Sequence, residues 1–304
     1  MAITPRTVRR GDLVPVLWSV GLPFWIISLG MTYLGVVLAR EVLLPEVRGI
    51  LALLATGPLL TGATCLYNDV VDRRADIHNP RKGSSALLVG RLQTKEGLKL
   101  ARLLAALCLL CGLLLGVEVL LLLSAALLLS FLYSNPGARL KTKPPWDVVV
   151  NVVGIGALLP LIGWASVRPL EQFPWHFLLT TLLGISGLYL LTVALDLPAD
   201  SRAGLRSTAV AIGAVSTLRA AVLAVGMTGV ALVLVAHRWP NDPLPPQLLD
   251  MVWPMFVVQL IGMGVLLRQP KVRRVMATII FLGILYVLGV GAFVVGYGST
   301  LLAG

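Results

Sequence analysis

The sequence predicts an all-α protein of the polytopic membrane class, with about nine transmembrane helices bundled around a central cavity. Three observations lead to this class. Hydrophobic residues make up 57% of the 304 residues, whereas soluble domains have roughly 45–50%. Charged residues make up 13%, against about 25% in soluble domains. Apolar runs of roughly 20 residues, enough for a helix to cross a bilayer, recur along the whole chain.

Nine apolar runs account for the predicted helices, and we expect them to form one membrane domain over residues 1–304. They lie near residues 13–39, 47–69, 97–115, 118–136, 148–167, 174–195, 208–236, 250–267 and 276–302. The first run is longer than the apolar core of a signal peptide, and further runs follow it. We therefore expect it to remain in the protein as a helix.

The charges decide one doubtful boundary, because Glu118 is the only charged residue between Arg102 and Arg139. This stretch is either one overlong helix or a hairpin that turns near Gly116. A hairpin places all but four of the 25 basic residues on one side of the membrane, in agreement with the positive-inside tendency. We predict the hairpin, with the N-terminus and the basic loops cytoplasmic and the C-terminus on the opposite side. The four exceptions are Arg40, Arg48, Arg168 and Arg238.

The positive charge of the chain does not indicate a nucleic acid partner. The net charge is +11, but the basic residues stand in short clusters between apolar runs and offer phosphates no continuous solvated face. The sequence also lacks a G-x-x-x-x-G-K-[ST] loop and a G-x-S-x-G segment, which argues against an ATP-driven pump and a serine hydrolase. The partner that the composition supports is the lipid bilayer.

Small residues inside the apolar runs have a simpler interpretation. We expect Gly154, Gly156, Gly289 and Gly291 to permit close helix packing. Cys108 and Cys111 share one apolar helix without a second pair or a histidine nearby in the sequence. For these cysteines we expect packing rather than metal binding.

The informative polar residues are two acidic clusters at the ends of apolar runs. The first is Asn68-Asp69-Val-Val-Asp72-Arg-Arg-Ala-Asp76, which continues directly from the second run. Spacings of three and four residues place Asp69, Asp72 and Asp76 on one face of a helix.

The second cluster, Asp196-Leu-Pro-Ala-Asp200, leaves the sixth run. Because Pro198 has no N–H and is disfavoured inside a helix, we expect a bend or a new helix start there. Both clusters lie on the predicted cytoplasmic side, so they can face each other across one cavity.

Five aspartates at membrane depth require a counter-charge. One such charge costs roughly 2.5–3.5 kcal/mol on insertion scales, so the five together cost on the order of 10 kcal/mol. Neighbouring Arg and Lys side chains supply part of the compensation. Mg²⁺, which takes carboxylate oxygens, waters and substrate phosphates, would supply more. Two facing clusters with trailing cations form a template for two metal ions on a diphosphate, and the chemistry this implies is ionisation of a prenyl diphosphate.

With these two motifs, and with Tyr133-Ser134-Asn-Pro136 leading into Arg139-Leu-Lys141, the chain resembles the UbiA-type intramembrane prenyltransferases. The resemblance covers nearly the whole chain, because the number of apolar runs and the order of the motifs also agree. It implies nine helices around a lipid-accessible cavity, with two Mg²⁺ ions between the motifs. It also implies that the isoprenoid tail lies in an apolar tunnel.

The resemblance assigns roles to single residues. It implies that both motifs provide the metal ligands, which are Asn68, Asp69, Asp72, Asp76, Asp196 and Asp200. We expect Asp72 and Asp196 to be catalytic together with Tyr133, whose ring would stabilise an allylic cation by cation–π attraction. The residues expected to bind the substrate are Arg81, Lys82, Ser134, Arg139, Lys141 and Arg206.

The chain departs from the family pattern at one position. Many members have an Arg-Pro-Leu segment before a glycine, where this chain reads Ser85-Ala-Leu-Leu-Val-Gly90. Two alternatives follow: Lys82 or Arg91 replaces the missing cation, or the acceptor region has a different shape. At the start of a later helix we expect Asp147 to interact favourably with the helix dipole, with acceptor binding as the alternative.

Three functions are compatible with the sequence. The leading hypothesis is Mg²⁺-dependent transfer of a prenyl group from its diphosphate to an apolar or aromatic acceptor, because few charged residues outside the motifs could contact a polar one. The second is a membrane terpene cyclase, which captures the same cation intramolecularly. The third is a transporter that binds an ion at the same carboxylates, although the sequence has no evident inverted repeat.

Overall fold

The computed structural model describes residues 14–40, 44–77, 82–83, 85–238, 247–268, 274–278, 280–281 and 284. Within these residues the chain is helical and contains no strand, which confirms the predicted all-α class. The helices are α1 (Val14–Ser19), α2 (Leu22–Arg40), α3 (Val47–Leu54), α4 (Gly62–Asp76), α5 (Thr94–Leu115), α6 (Val117–Ser134), α7 (Trp146–Val153), α8 (Leu159–Ala165), α9 (Phe177–Arg202), α10 (Thr208–Ile212), α11 (Ala214–Arg238) and α12 (Gln247–Arg268).

Two wide π-helical turns join helices without breaking their direction. Ala55–Thr61 links α3 to α4, and Gly154–Leu158 links α7 to α8. Pro58 lies inside the first turn, where its missing N–H removes one helical hydrogen bond. Each pair of helices with its turn therefore crosses the bundle as one rod.

Seven helices of the described residues are long and apolar enough to cross a membrane. They are Leu22–Arg40, Val47–Arg74, Thr94–Leu115, Val117–Ser134, Trp146–Ala165, Phe177–Arg202 and Ala214–Leu234. These helices fall on the first seven predicted runs, although the first run, 13–39, is divided between α1 and α2, and the seventh, 208–236, between α10 and α11. A shorter apolar helix, Phe256–Leu267, falls on the eighth run, and most of the ninth, 276–302, lies outside the described residues. The chain is thus a multi-pass membrane protein, and the count of nine helices stays a prediction.

The hairpin predicted near Gly116 is present. α5 ends at Leu115 and α6 begins at Val117, with Gly116 between them at φ +123°. This left-handed conformation is one that glycine adopts at low cost. The two helices then run back against each other so closely that a Cβ on Gly112 would lie 3.0 Å from the Cα atom of Leu120.

Arg48, in the first turn of α3, forms hydrogen bonds with the ends of two other helices at one end of the bundle. Its Nε atom donates a hydrogen bond to the carbonyl of Ser166 at 2.7 Å, and its Nη2 atom donates to the carbonyl of Leu115. These carbonyls belong to the C-terminal ends of α8 and α5, which lack intrahelical donors. The start of α3 and the ends of α5 and α8 therefore share one end, as the predicted alternation of spans requires.

Two glycines bring α2 and α8 into backbone contact. A Cβ added to Gly35 would lie 2.0 Å from the carbonyl oxygen of Pro160, and one added to Gly163 would lie 2.0 Å from that of Thr32. No side chain fits at either position, so both glycines permit the close approach of two helix backbones.

The glycines singled out in the sequence have different surroundings. A Cβ on Gly156 would lie 3.1 Å from the carbonyl oxygen of Thr181, so Gly156 does permit close packing. Gly154 has open space around the same position, and the expectation of close packing there is wrong. Gly289 and Gly291 lie outside the described residues.

The two cysteines of α5 are packing residues, as expected. Cys108 is fully buried and Cys111 nearly so. The Sγ atom of Cys108 lies 3.5 Å from the carbonyl oxygen of Ala55 in the first π-helical turn. Cys108 thus contacts that turn, and both cysteines belong to one hydrophobic core cluster.

Candidate active site

The first acidic motif lies on the last two turns of α4. Asp69 and Asp72 are buried, with 3% and 6% of their surface exposed, whereas Asn68 and Asp76 are partly buried. Carboxylates with so little exposure require hydrogen bonds or opposite charges, and cations from two other segments provide them.

Lys82 and Ser85 hold the carboxylate of Asp69. The Nζ atom of Lys82 donates to Oδ1 of Asp69 and lies 3.9 Å from Oδ2 of Asp76. The hydroxyl of Ser85 donates to Oδ2 of Asp69 at 2.8 Å. Ser85, which stands where many family members have an arginine, therefore contacts the motif itself, and Lys82 is the cation beside it.

The loop between α6 and α7 provides the cations for Asp72. Lys141 donates a hydrogen bond to Oδ2 of Asp72, and the Nη2 atom of Arg139 lies 3.8 Å from Oδ1. This second oxygen is buried and accepts no hydrogen bond. One oxygen of Asp72 is therefore available to a further ligand.

Electrostatic effects link the first motif to α9. Burial, opposed by Lys82 and reinforced by the carboxylates of Asp69 and Asp200, raises the pKa of Asp76 to about 6. Burial lowers the pKa of Lys141 to about 8, while Asp200 acts to raise it. Asp200 therefore lies close enough to influence a residue of α4 and a residue of the α6–α7 loop.

Burial and nearby carboxylates also oppose each other at Lys82, but there the carboxylates have the larger effect on the pKa. Burial by itself lowers its pKa, but the carboxylates of Asp69 and Asp76 outweigh burial, and the pKa is raised above the ordinary value. Lys82 therefore remains charged beside the two carboxylates.

The second motif lies inside α9, which continues to Arg202 with Pro198 within it. The predicted bend at Pro198 is therefore wrong. Pro198 falls in the last two turns of the helix, where its missing N–H removes a hydrogen bond near the end of the helix only, and membrane helices tolerate such a loss. The chain turns at Gly204, with φ +66°. Asp196 and Asp200 are both partly buried.

The run predicted over 208–236 is also divided. α10 ends at Ile212, and Gly213, with φ +82°, separates it from α11. The break follows the second motif in the sequence and separates α10 from α11. The apolar pattern of the sequence could not show this break, because the residues on both sides of Gly213 are mostly apolar.

The other basic residues considered for substrate binding differ in their exposure. Arg206 is exposed. Arg91 is partly buried, with a buried Nη2 atom that has no hydrogen-bond partner. Arg81 lies outside the described residues.

Tyr133 pairs with a tyrosine that the sequence analysis did not single out. The hydroxyl oxygens of Tyr133 and Tyr189 lie 2.9 Å apart. Tyr189 lies on α9, two helical turns before Asp196, so the two side chains share one face of that helix. Ser134, the neighbour of Tyr133, is buried with 2% of its surface exposed.

Asp147 has a larger structural role than its position at a helix start indicated. It lies in the first turn of α7, as expected, and it is 2% exposed. Its Oδ2 atom accepts a hydrogen bond from the backbone N–H of Thr208 at 2.7 Å, and its Oδ1 atom accepts one from the hydroxyl of Thr208. A separation of 61 residues leaves no local sequence signal for this contact.

The donor set fits a hard divalent cation, although its groups are not gathered as a ready-made site. Among the described residues, no three His, Cys, Asp or Glu side chains stand close enough together to hold a metal ion. The available donors are carboxylate and amide oxygens, which Mg²⁺ prefers. The buried Oδ1 atom of Asp72 has no hydrogen-bond donor, so an added cation would satisfy it.

The fold and the candidate site define the class of the protein. It is a polytopic membrane protein with two acidic motifs, on α4 and α9, that lie near basic side chains. The chain belongs to the UbiA prenyltransferase family, whose model matches residues 28–264. The resemblance predicted from the motifs is thereby confirmed, and so is the predicted enzyme class, a prenyltransferase.

Relatives with recorded activities share the sequence over most of the chain. The 4-hydroxybenzoate octaprenyltransferase of Salmonella paratyphi B is 28% identical over 237 residues, which are 78% of this chain and 74% of that protein. The enzyme of the same name from Pseudoalteromonas translucida is 25% identical over 198 residues, or 65% of this chain. The chain matches 62% of that enzyme, less than two thirds of its length.

Solved structures share the fold. A UbiA homologue from Archaeoglobus fulgidus, determined with bound DMAPP and Mg²⁺, superposes with a TM-score of 0.74 at 17% identity. The superposition covers 95% of this chain and 99% of the homologue. The likeness extends over the whole bundle.

Proposed function

We propose that the protein is a Mg²⁺-dependent prenyltransferase, which transfers a prenyl group from an allylic diphosphate to an apolar or aromatic acceptor within the membrane. The observation that carries the proposal is the convergence of the two motifs. Asp200 of α9 affects the pKa of Asp76 on α4 and of Lys141, and Lys141 itself contacts Asp72. The relatives named for 4-hydroxybenzoate transfer support an aromatic acceptor.

Metal binding is assigned to carboxylate and amide oxygens of the two motifs, because Mg²⁺ prefers oxygen ligands. The residues proposed to hold two Mg²⁺ ions are Asn68, Asp72, Asp76, Asp196 and Asp200. Asp69 belongs to the same motif, but both its oxygens already accept hydrogen bonds from Lys82 and Ser85. We therefore assign Asp69 to holding Lys82 in place. When bound, Mg²⁺ neutralises the diphosphate and makes it a better leaving group.

The basic side chains have a complementary role. Lys141 and Arg139 surround Asp72, and Lys82 stands between Asp69 and Asp76. Cations in these positions bind diphosphate oxygens through charge-assisted hydrogen bonds. Arg81 and Arg206 follow the two motifs in the sequence and are proposed to contribute to the same group.

The reacting carbon is proposed to lie near the tyrosine pair. Loss of the diphosphate leaves an allylic cation, which the electron-rich face of an aromatic ring stabilises. Tyr133 and Tyr189 present two such rings, joined through their hydroxyl groups. Ser134, the next residue of α6, is proposed to line the same region. Residues that exclude water around this point would also prevent capture of the cation by water.

Orientation and domain extent remain part of the proposal. The active-site end carries nearly all the basic residues of the predicted loops, so the positive-inside tendency places it, with the N-terminus, on the cytoplasmic side. The C-terminus then lies opposite. We treat residues 1–304 as one membrane domain.

Activity of the purified protein in detergent tests the proposal. Labelled geranyl diphosphate and 4-hydroxybenzoate, followed by a panel of larger aromatic acceptors, should give prenylated product with Mg²⁺ and none without it. Asp72→Asn should reduce turnover by about 100-fold or more, as loss of a charge-stabilising group does. Glu96→Gln is the matched control, because Glu96 is an exposed capping residue of α5.

The same assay separates the rival functions. A terpene alcohol or hydrocarbon formed efficiently without acceptor would indicate a cyclase. Ion flux into vesicles without any chemical change would indicate a transporter. Turnover of Asp72→Asn at the wild-type rate would rule out the assigned site.

A further inference from the structure

Asp147 connects the start of α7 to the segment that follows the second motif. Its two carboxylate oxygens accept hydrogen bonds from one residue, Thr208, through the backbone N–H and the side-chain hydroxyl. A carboxylate with 2% exposure is costly to bury unless it accepts hydrogen bonds. Separating Thr208 from Asp147 would leave a buried carboxylate without these hydrogen bonds, so the contact is strongly favoured.

The position of Thr208 gives this contact its importance. Thr208 is the first residue of α10, and α9 ends at Arg202, two residues beyond Asp200. The short connection between them turns at Gly204, where φ is +66°. Anchoring Thr208 fixes the far end of this connection and limits how the last turn of α9, with Asp200, can move.

The segment before α7 reaches the first motif. Lys141 contacts Asp72 of α4, and six residues later Asp147 contacts Thr208. The stretch from Lys141 to Asp147 therefore touches both motif regions, one at each of its ends. Asn151, one turn further along α7, donates a hydrogen bond to the backbone carbonyl of Asp147 at 2.9 Å, which holds the start of the helix.

We propose that Asp147 is a positioning residue for the reaction. By holding Thr208, it sets the distance between the Asp196–Asp200 motif and the Lys141–Asp72 pair, and it thereby determines the affinity for the diphosphate group. In this role Asp147 acts through Thr208 and needs no contact with substrate or metal. The inference rests on the proposed function, because it names the residue that assembles that site.

Substitution of Thr208 tests the proposal with little change of volume. Thr208→Val removes the hydroxyl donor, and Thr208→Ser retains both donors. The matched control is Thr181→Val, because the buried Thr181 hydroxyl donates to the carbonyl of Gly156 at 2.6 Å. That hydrogen bond also links α9 to the α7–α8 rod, but it lies far from Thr208 in the sequence. Asp147→Leu removes the acceptor side of the contact.

Two measurements are made on each purified variant. Steady-state kinetics gives kcat and separate KM values for the prenyl diphosphate and the acceptor. Hydrogen exchange followed by mass spectrometry reports the protection of backbone amides in residues 203–208. For Thr208→Val we expect KM for the diphosphate to rise about 10-fold, in the range that misplacement of binding groups produces, with KM for the acceptor unchanged. We also expect faster exchange in residues 203–208.

The controls make the outcomes decisive. Thr208→Ser should retain the wild-type KM, and Thr181→Val should change neither KM nor the exchange of residues 203–208. Wild-type KM and wild-type exchange in Thr208→Val would overturn the proposal, even if Asp147→Leu fails to fold. The proposal would also be overturned if both KM values rose by the same factor in Thr208→Val and in Thr181→Val, because that result would indicate general destabilisation. If the wild-type protein transfers no prenyl group, the proposed function fails, and unchanged exchange in Thr208→Val would still overturn the contact's role.

Discussion

Lys141 donates a hydrogen bond to Asp72 across 69 residues of sequence. The lysine belongs to a short loop between two spans, and the aspartate belongs to the last turns of α4. A carboxylate and an ammonium group that neutralise each other in this way can each exchange partners when a cation and an anion arrive together. A metal ion would bind the carboxylate, and a diphosphate would bind the ammonium group.

Lys141→Met should therefore weaken binding of the prenyl diphosphate. The substitution keeps most of the side-chain length but removes the charge. We expect kcat/KM for the diphosphate to fall about 100- to 1000-fold, as the rate does when one donor to a developing negative charge is lost. Steady-state kinetics measures the change. Lys143→Met, at an exposed position two residues later, should behave as wild type, and an equal loss in both variants would indicate a nonspecific charge effect.

Removal of metal should abolish transfer reversibly. Treatment with EDTA is expected to eliminate product formation, and addition of Mg²⁺ should restore it, because carboxylate and amide oxygens dominate the donor set. In Asp196→Asn, the Mg²⁺ concentration for half-maximal activity should rise at least about 10-fold, because even the loss of a hydrogen-bond partner of a metal ligand has an effect of that size. Product formation by the EDTA-treated enzyme at the original rate would contradict the assignment.

Ser85→Ala should lower stability without introducing a new charge. Ser85 is buried, its hydroxyl donates to Asp69 at 2.8 Å, and its Oγ atom lies 3.2 Å from that of Ser19. Loss of these contacts leaves buried polar groups unsatisfied and should cost about 1–3 kcal/mol. Thermal unfolding in detergent measures the effect. The control Ser124→Ala removes only an exposed intrahelical hydrogen bond and should leave the midpoint unchanged.

Gly163→Ala should destabilise the bundle strongly. The new Cβ would lie 2.0 Å from the carbonyl oxygen of Thr32, so α2 and α8 would have to separate. Overpacking of this kind costs about 1–3 kcal/mol or more. Gly154→Ala, where the same atom meets open space, is expected to be neutral or to stabilise the helix. Equal unfolding midpoints for the two variants would show that the close crossing contributes little.

Local patterns were sufficient for the spans and for the hairpin. Apolar length marked seven helices, and the charge balance required a turn at Gly116, because only a turn keeps the basic loops together. The predicted bend at Pro198 was wrong. Proline is disfavoured inside helices because its missing N–H removes a hydrogen bond. That loss is small so close to the end of α9. The two π-helical turns were not predicted, since their sequences remain as apolar as the helices around them.

The candidate site could be predicted only in part for a different reason. The acidic motifs follow helical spacing, so Asp72 and Asp76 were recognisable in the sequence. The partners of these motifs come from distant segments. Ser85 contacts Asp69, Tyr189 contacts Tyr133, and each contact depends on how helices pack rather than on local sequence. The single domain over residues 1–304 stays a prediction.

The close crossing of α2 and α8 also restricts how lipid substrates reach the site. The proposed function implies that an isoprenoid chain and a lipophilic acceptor enter sideways from the bilayer, and such entry requires two neighbouring helices to part. Helices that touch backbone to backbone at Gly35 and Gly163 have no side chains between them that could swing aside. We therefore expect this pair of helices to stay together during turnover, and lipid substrates to enter between another pair of helices.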